Sequence, residues 1–270
     1  MATALTRKLP PLSYSNLTSF ATCQKQYELR YISELGWPLI PDGDAMASEE
    51  AERLGQLFHL AVEQRSHGQD VTALLDESPK LHAWWLRFMQ KRFHDPAGKV
   101  WHEARLMFPF ADERVLVVMD RLQHHDGQWT IWDWKTGRRF ERDDLAATWQ
   151  TQLDRFALAE AGQIYNGGQP IPTEAIRMVY WSAEHDRQEV FPYDAASFAA
   201  DRERVRQAIA ELHAARTAGF PMTGQPLACH AKGRPCAFVP VCLGAGHSLL
   251  TDDVWETDEP ATLVDDDPFV

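Results

Sequence analysis

The chain is short of cysteine, short of basic charge and without any long apolar run. Four cysteines in 270 residues are too few for a disulfide scaffold, so their positions matter more than their number. No apolar stretch approaches the ~18 residues that cross a bilayer, and the N-terminus lacks the charged-then-apolar pattern of a secretory signal. A soluble cytoplasmic protein with no membrane partner is the expectation. No G-x-x-x-x-G-K-[ST] loop is present, so a P-loop motor is excluded from this chain. No internal repeat is visible. With 27 basic against 39 acidic residues, the net charge of −12 argues against a generic nucleic-acid coat.

Much of that acidity is local. Thr251 to Val270 holds eight acidic residues and no basic one, a composition that reads as a disordered tail. Residues 1–250 then form one domain with a sizeable core, and their weak net charge leaves room for a local basic groove.

Periodicity orders the domain. Ser13 and Ser15 are N-cap candidates for a helix through Asn16 to Ser33, followed by a Gly/Pro loop from Leu35 to Asp44. Ala45 to Ser66 reads as a second helix, with Gly55 and His59 four apart on one face. Short helices follow at about Val71–Glu77 and Leu81–Phe93, which makes 45–95 a helical part. A catalytic core spans about 100–192. It has strands at Val100–Phe110, Val115–Lys135 (a hairpin), Glu174–Trp181 and Gln188–Phe191. A helix capped by Asp143 or Asp144 runs to about Ala161, and a long helix spans Asp194–Ala218. This order predicts an α/β core with a helical insertion.

The hairpin is the most informative stretch. Asp126-Gly127 is a two-residue turn signal, because both central positions of a type I′ turn need φ > 0. Counting outward from that turn pairs Gln128 with His125 and Asp133 with Asp120. Lys135 shares the face of Asp133. Two opposed carboxylates with a lysine read either as a Mg²⁺ or Mn²⁺ site or as a solvated surface hairpin. His59 on the preceding helix and Glu103 on the neighbouring strand are further candidate ligands or ordinary polar residues. Cys23, Cys229, Cys236 and Cys242 suit one thiolate site for iron–sulfur or zinc, or are four separate thiols. Their spacings of seven and six favour iron–sulfur over the paired C-x-x-C of a zinc ribbon. Phe156, one turn beyond Gln152, is most simply core.

Taken in order, these pieces resemble the RecB-like branch of the PD-(D/E)XK nuclease superfamily, in particular its iron–sulfur members, the CRISPR-associated four-cysteine exonucleases and AddB-type nuclease subunits. The matching residues are Leu12-Ser13-Tyr14-Ser15 with Cys23, Gly55-Gln56-Leu57-Phe58-His59, Glu103, Val118-Met119-Asp120-Arg121, Ile131 through Gly137, Gln152 through Phe156, and Cys229, Cys236 and Cys242. The resemblance implies a restriction-endonuclease-like fold, a mixed sheet flanked by helices, with a cysteine-bound cluster joining the N- and C-terminal segments. It implies that His59, Asp120, Asp133 and the carbonyl of Trp134 hold the metal, that Lys135 is the catalytic lysine, and that Glu103 belongs to the same site. Gln152 and Phe156 would match a Q-x-x-x-Y element that holds DNA. The four cysteines would ligate a structural 4Fe-4S cluster, with zinc as the alternative. Val117, Gln24 and Phe156 depart from the family's usual glycine, proline and tyrosine.

The expectation is therefore a metal-dependent deoxyribonuclease, an exonuclease on single strands or ends in DNA repair or CRISPR-type processing, working with or without a separate helicase. The alternative is a catalytically marginal DNA-end-binding or assembly subunit.

Overall fold

A computed structural model describes residues 9–35, 43–137, 141–223, 229 and 236–243. The expected tail at 251–270 and residues 230–235 of the cysteine-bearing segment lie outside the described residues.

Five strands form one mixed sheet in sequence order: β1 (Lys99–Phe110), β2 (Glu113–His125), β3 (Gln128–Lys135), β4 (Ile176–Ser182) and β5 (Arg187–Pro192). All neighbours are antiparallel except β3 and β4, which are parallel. A parallel pair needs a crossover. Here it is made by α6 (Arg142–Ala147) and α7 (Trp149–Ala161). The remaining helices are α1 (Tyr14–Thr22), α2 (Gln24–Tyr27), α3 (Gly43–Ser66), α4 (Thr72–Leu75), α5 (Pro79–Gln90), α8 (Ala195–Ala218) and α9 (Val239–Leu243). The result is the expected α/β architecture of a mixed sheet flanked by helices. Among the described residues no helix is long and apolar enough to cross a membrane.

Two expected helices are interrupted. The first breaks at Cys23, whose backbone is extended (φ −160°, ψ 117°), and resumes as α2 and a π-helical turn at Glu28–Ile32. The second breaks at Thr148, also extended, whose hydroxyl accepts from the Thr151 N–H and so starts α7 afresh.

Two cores hold the sheet. The larger one packs Leu17 and Phe20 of α1, Leu153, Phe156 and Ala157 of α7, and Val205, Ile209 and Leu212 of α8 against strand residues such as Val117 and Ile131. The smaller one is strongly aromatic. In it Phe58 of α3 and Trp84 and Phe88 of α5 meet Phe93, Trp134 and Trp181.

The hairpin has the register counted from its turn. His125 pairs with Gln128 and Arg121 with Trp132, across Asp126 (φ 49°) and Gly127 (φ 77°). Continuing that register sets Asp120 across from Asp133. On the other side of β2, however, alternation breaks. Val115, Val117 and Met119 enter the larger core, but so does Leu122. Arg121 instead packs among the rings of Phe93, Trp132 and Trp134. Strict period-2 alternation forbids this, so the phase slips at Asp120. Directly across, on β1, Glu103 has φ 47°, between the regular pairs His102↔Arg121 and Ala104↔Met119. A left-handed non-glycine residue is costly and is retained only where its surroundings dictate it.

Candidate active site

The site is assembled where this break, the end of β3, and the helices α3 and α7 meet. Each part is fixed by packing. Phe58 is buried in the aromatic core, which locks α3 and presents His59, the next residue, towards β3. Gly55, one turn earlier, faces Thr136: a Cβ there would lie 2.8 Å from Thr136 Oγ1, so a larger residue would have to displace the Thr136 hydroxyl. The Trp134 indole is anchored in the same core by Phe88, Phe93 and Trp181, which leaves its peptide group at the site.

Two neighbouring constellations result. In the first, His59 bridges two groups. Its Nε2 donates to the Trp134 carbonyl at 2.9 Å, and its Nδ1 lies 3.3 Å from Asp120 Oδ1. Asp120 Oδ2 accepts the Trp134 N–H at 2.7 Å. Burial opposes charge on the imidazole, but Asp120, backed by Asp133, outweighs it and pushes His59 up to about 9. Burial likewise pushes Asp120 up, yet His59 and the Trp134 N–H hold it below the usual carboxylate range. Glu103, near Asp120, is pushed up to about 7 by burial and then by Asp120's charge.

In the second, Asp133 and Lys135 form an ion pair of 3.0 Å with little exposure. The Gln150 amide of α7 closes it. Its Oε1 accepts from Lys135 Nζ at 2.9 Å and its Nε2 donates to Asp133 Oδ2 at 2.5 Å. Burial and the repulsion of Asp120 raise Asp133 despite Lys135. One turn along α7, Asp154 is buried with both carboxylate oxygens unpartnered. Burial, then Asp133, push it well above the ordinary range, which favours its neutral form. Tyr14 joins the wall, its phenol raised by burial and by Asp133, Asp154 and Asp120.

The structure thus brings together His59, Asp120, Asp133, Trp134, Lys135 and Glu103. It does not bring Gln152 and Phe156 to them. Phe156 is fully buried beside Phe110 and Phe198 and offers no surface to DNA. Gln152 turns to the Ala146 carbonyl and to Arg204 of α8, away from the carboxylates. Gln150 and Asp154 face the site in their place. Neither was found from the sequence, although a signal existed. Gln150, Leu153, Asp154 and Ala157 fall at i, i+3, i+4 and i+7, one stripe of α7, and all four are buried.

Among the described residues no three His, Cys, Asp or Glu side chains converge as a metal-ligand set. The chemistry of the donors nonetheless suits a hard divalent cation: two carboxylates and a peptide carbonyl, with Asp133 Oδ1 buried and facing the Lys135 ammonium at 3.0 Å. All four cysteines are free and partly buried. Burial first, and then the neighbouring thiols, raise Cys236 and Cys242, with Cys23 and Cys229 among those neighbours. The Cys236 N–H donates to the Cys229 carbonyl at 2.7 Å.

A mixed sheet with this acid–acid–lysine arrangement at the end of its central hairpin is a nuclease architecture. The family model of the PD-(D/E)XK nuclease superfamily matches residues 11–243, and the chain belongs to that superfamily. A search of curated proteins finds no match. Among solved structures, a "Putative exonuclease" from Eubacterium rectale shares the fold at a TM-score of 0.51 and 9% identity, covering 78% of this chain and 83% of that one. SSO0001 aligns with a TM-score of 0.30 and 11% identity over 58% of this chain and 74% of that one.

Proposed function

We propose that the protein is a metal-dependent deoxyribonuclease of the RecB-like type, an exonuclease acting on single strands or DNA ends in the cytoplasm. The observation that carries this reading is the joining of two ion-paired constellations, His59–Asp120 and Lys135–Asp133, across one β-hairpin.

Asp120, Asp133 and the Trp134 carbonyl would hold Mg²⁺ or Mn²⁺, with His59 beside them as a further ligand or as the clamp that aligns Asp120 with that carbonyl. The bound cation supplies Lewis-acid chemistry, polarising the phosphodiester and favouring attack by water. Lys135 places an ammonium 3.0 Å from Asp133, where it stabilises negative charge developing on phosphate oxygens. Glu103 extends the acidic wall from β1. The buried aromatic shell of Phe58, Phe88 and Trp134 keeps these groups in fixed rotamers, which is the pre-organisation that electrostatic catalysis needs.

In the same reading Cys23, Cys229, Cys236 and Cys242 ligate a 4Fe-4S cluster that ties α1 to the C-terminal segment. The support is the mutual influence of the thiols and their donor chemistry.

The test is end-labelled single- and double-stranded DNA incubated with Mn²⁺, Mg²⁺ or EDTA, using anoxically purified protein assayed for iron and sulfide. Cation-dependent release of labelled nucleotides supports the reading. Tight binding of DNA ends without cleavage would instead favour an end-binding subunit.

A further inference from the structure

We infer that Gln150 is a positioning residue for Lys135, tethering the lysine to the site through its side-chain amide. This rests on the nuclease reading above, and it adds a residue that was not among the expected site residues.

The geometry is a closed ring. Lys135 Nζ touches Asp133 Oδ1 at 3.0 Å and Gln150 Oε1 at 2.9 Å, while Gln150 Nε2 returns to Asp133 Oδ2 at 2.5 Å. The amide's orientation is dictated by charge, because the flipped form would set NH₂ against the ammonium and C=O against the carboxylate. Gln150 is 5% exposed and sits in the first turn of α7, whose Leu153 and Ala157 are in the larger core. Its backbone is therefore fixed independently of the site.

A lysine paired with a carboxylate alone is held only while that carboxylate is free to accept. If Asp133 turns an oxygen to a cation, Lys135 loses part of its restraint, and a flexible four-carbon stem has many rotamers to visit. The Gln150 carbonyl is an acceptor that a cation bound at the carboxylates does not compete for. It keeps the ammonium in place in both conditions. Gln150 itself need touch neither substrate nor metal.

The test is a cycle of wild type, Gln150→Met, Lys135→Ala and the double variant, each checked for an unchanged fold by circular dichroism. Gln150→Met should lower kcat about tenfold or more with KM little changed, and should have no further effect once Lys135 is gone. Equal losses from Gln150→Met in both backgrounds would overturn the inference, since a residue that merely supports the fold acts whether or not Lys135 is present. Should wild type itself fail to cleave DNA, the nuclease reading falls, and Mn²⁺ titration of the same four proteins still decides. Tethering requires that the change in Mn²⁺ affinity caused by Gln150→Met shrink to about nothing in the Lys135→Ala background, and additive changes contradict it.

Discussion

Gly55 and Thr136 meet so closely that a β-carbon on Gly55 would lie 2.8 Å from the Thr136 hydroxyl oxygen. The contact sets how near α3 comes to the end of β3, and His59 rides one turn further along α3. Gly55→Ala must displace the Thr136 hydroxyl, either by turning that side chain or by moving α3 from the strand end. We expect a loss of about 1–3 kcal/mol in stability, from overpacking, measured by urea unfolding. Activity should fall by more than the unfolded fraction explains, because the His59 contacts with Asp120 and Trp134 lengthen.

Phe156 stands where the resembled family has tyrosine, and it is fully buried against Phe108, Phe110 and Phe198. Phe156→Tyr inserts a hydroxyl among phenyl rings. A buried hydroxyl without a partner costs about 1–3 kcal/mol, so the variant should unfold at lower denaturant and gain no activity. Improved cleavage by Phe156→Tyr would show that residue 156 reaches the site.

Gln152 provides the contrast with Gln150. Two residues along a helix are about 200° apart around its axis, so the two amides point to nearly opposite sides. Gln152→Ala removes only contacts with Ala146 and Arg204. Stability should change by no more than about 0.5 kcal/mol, and kcat/KM by less than about twofold.

Away from the site, Glu113 on β2 accepts from Arg216 and His213 of α8, the latter at 2.8 Å. Burial pushes its carboxyl up, but those two partners outweigh burial and hold it below its ordinary value of 4.5. A depressed folded pKa gives stability that is fully present above the unfolded pKa and is lost as pH falls through the folded one. Glu113→Gln should therefore lower stability by about 1–2 kcal/mol at neutral pH. The difference from wild type should shrink steadily below about pH 4.5, followed by chemical unfolding at several pH values.

Much of this was legible in the sequence because the signals were local. Asp126-Gly127 specifies a turn with two positive φ angles, and that turn alone dictates the pairing of β2 with β3. The apolar stripe of α3 and the four-residue spacing of Gly55 and His59 set the helix that reaches the strand end. What was not legible depended on tertiary context. The phase slip at Asp120 and the left-handed Glu103 across from it arise from packing Arg121 into an aromatic shell contributed by distant segments. The helix restart at Thr148 was hidden because both flanking runs favour helix. Choosing between Gln150 and Gln152 required knowing which side of α7 meets the sheet, and the two glutamines look alike without it.

The most direct measurement of the central claim is to separate binding from cleavage at Lys135 and Asp133. Wild type, Lys135→Ala and Asp133→Ala would be compared for affinity to end-labelled single-stranded DNA and for nucleotide release with Mn²⁺. The account predicts that Lys135→Ala binds DNA within severalfold of wild type while kcat falls about a hundredfold or more, and that Asp133→Ala loses both Mn²⁺ response and cleavage. Full cleavage by either variant would contradict it, because the hydrolytic centre would then lie elsewhere.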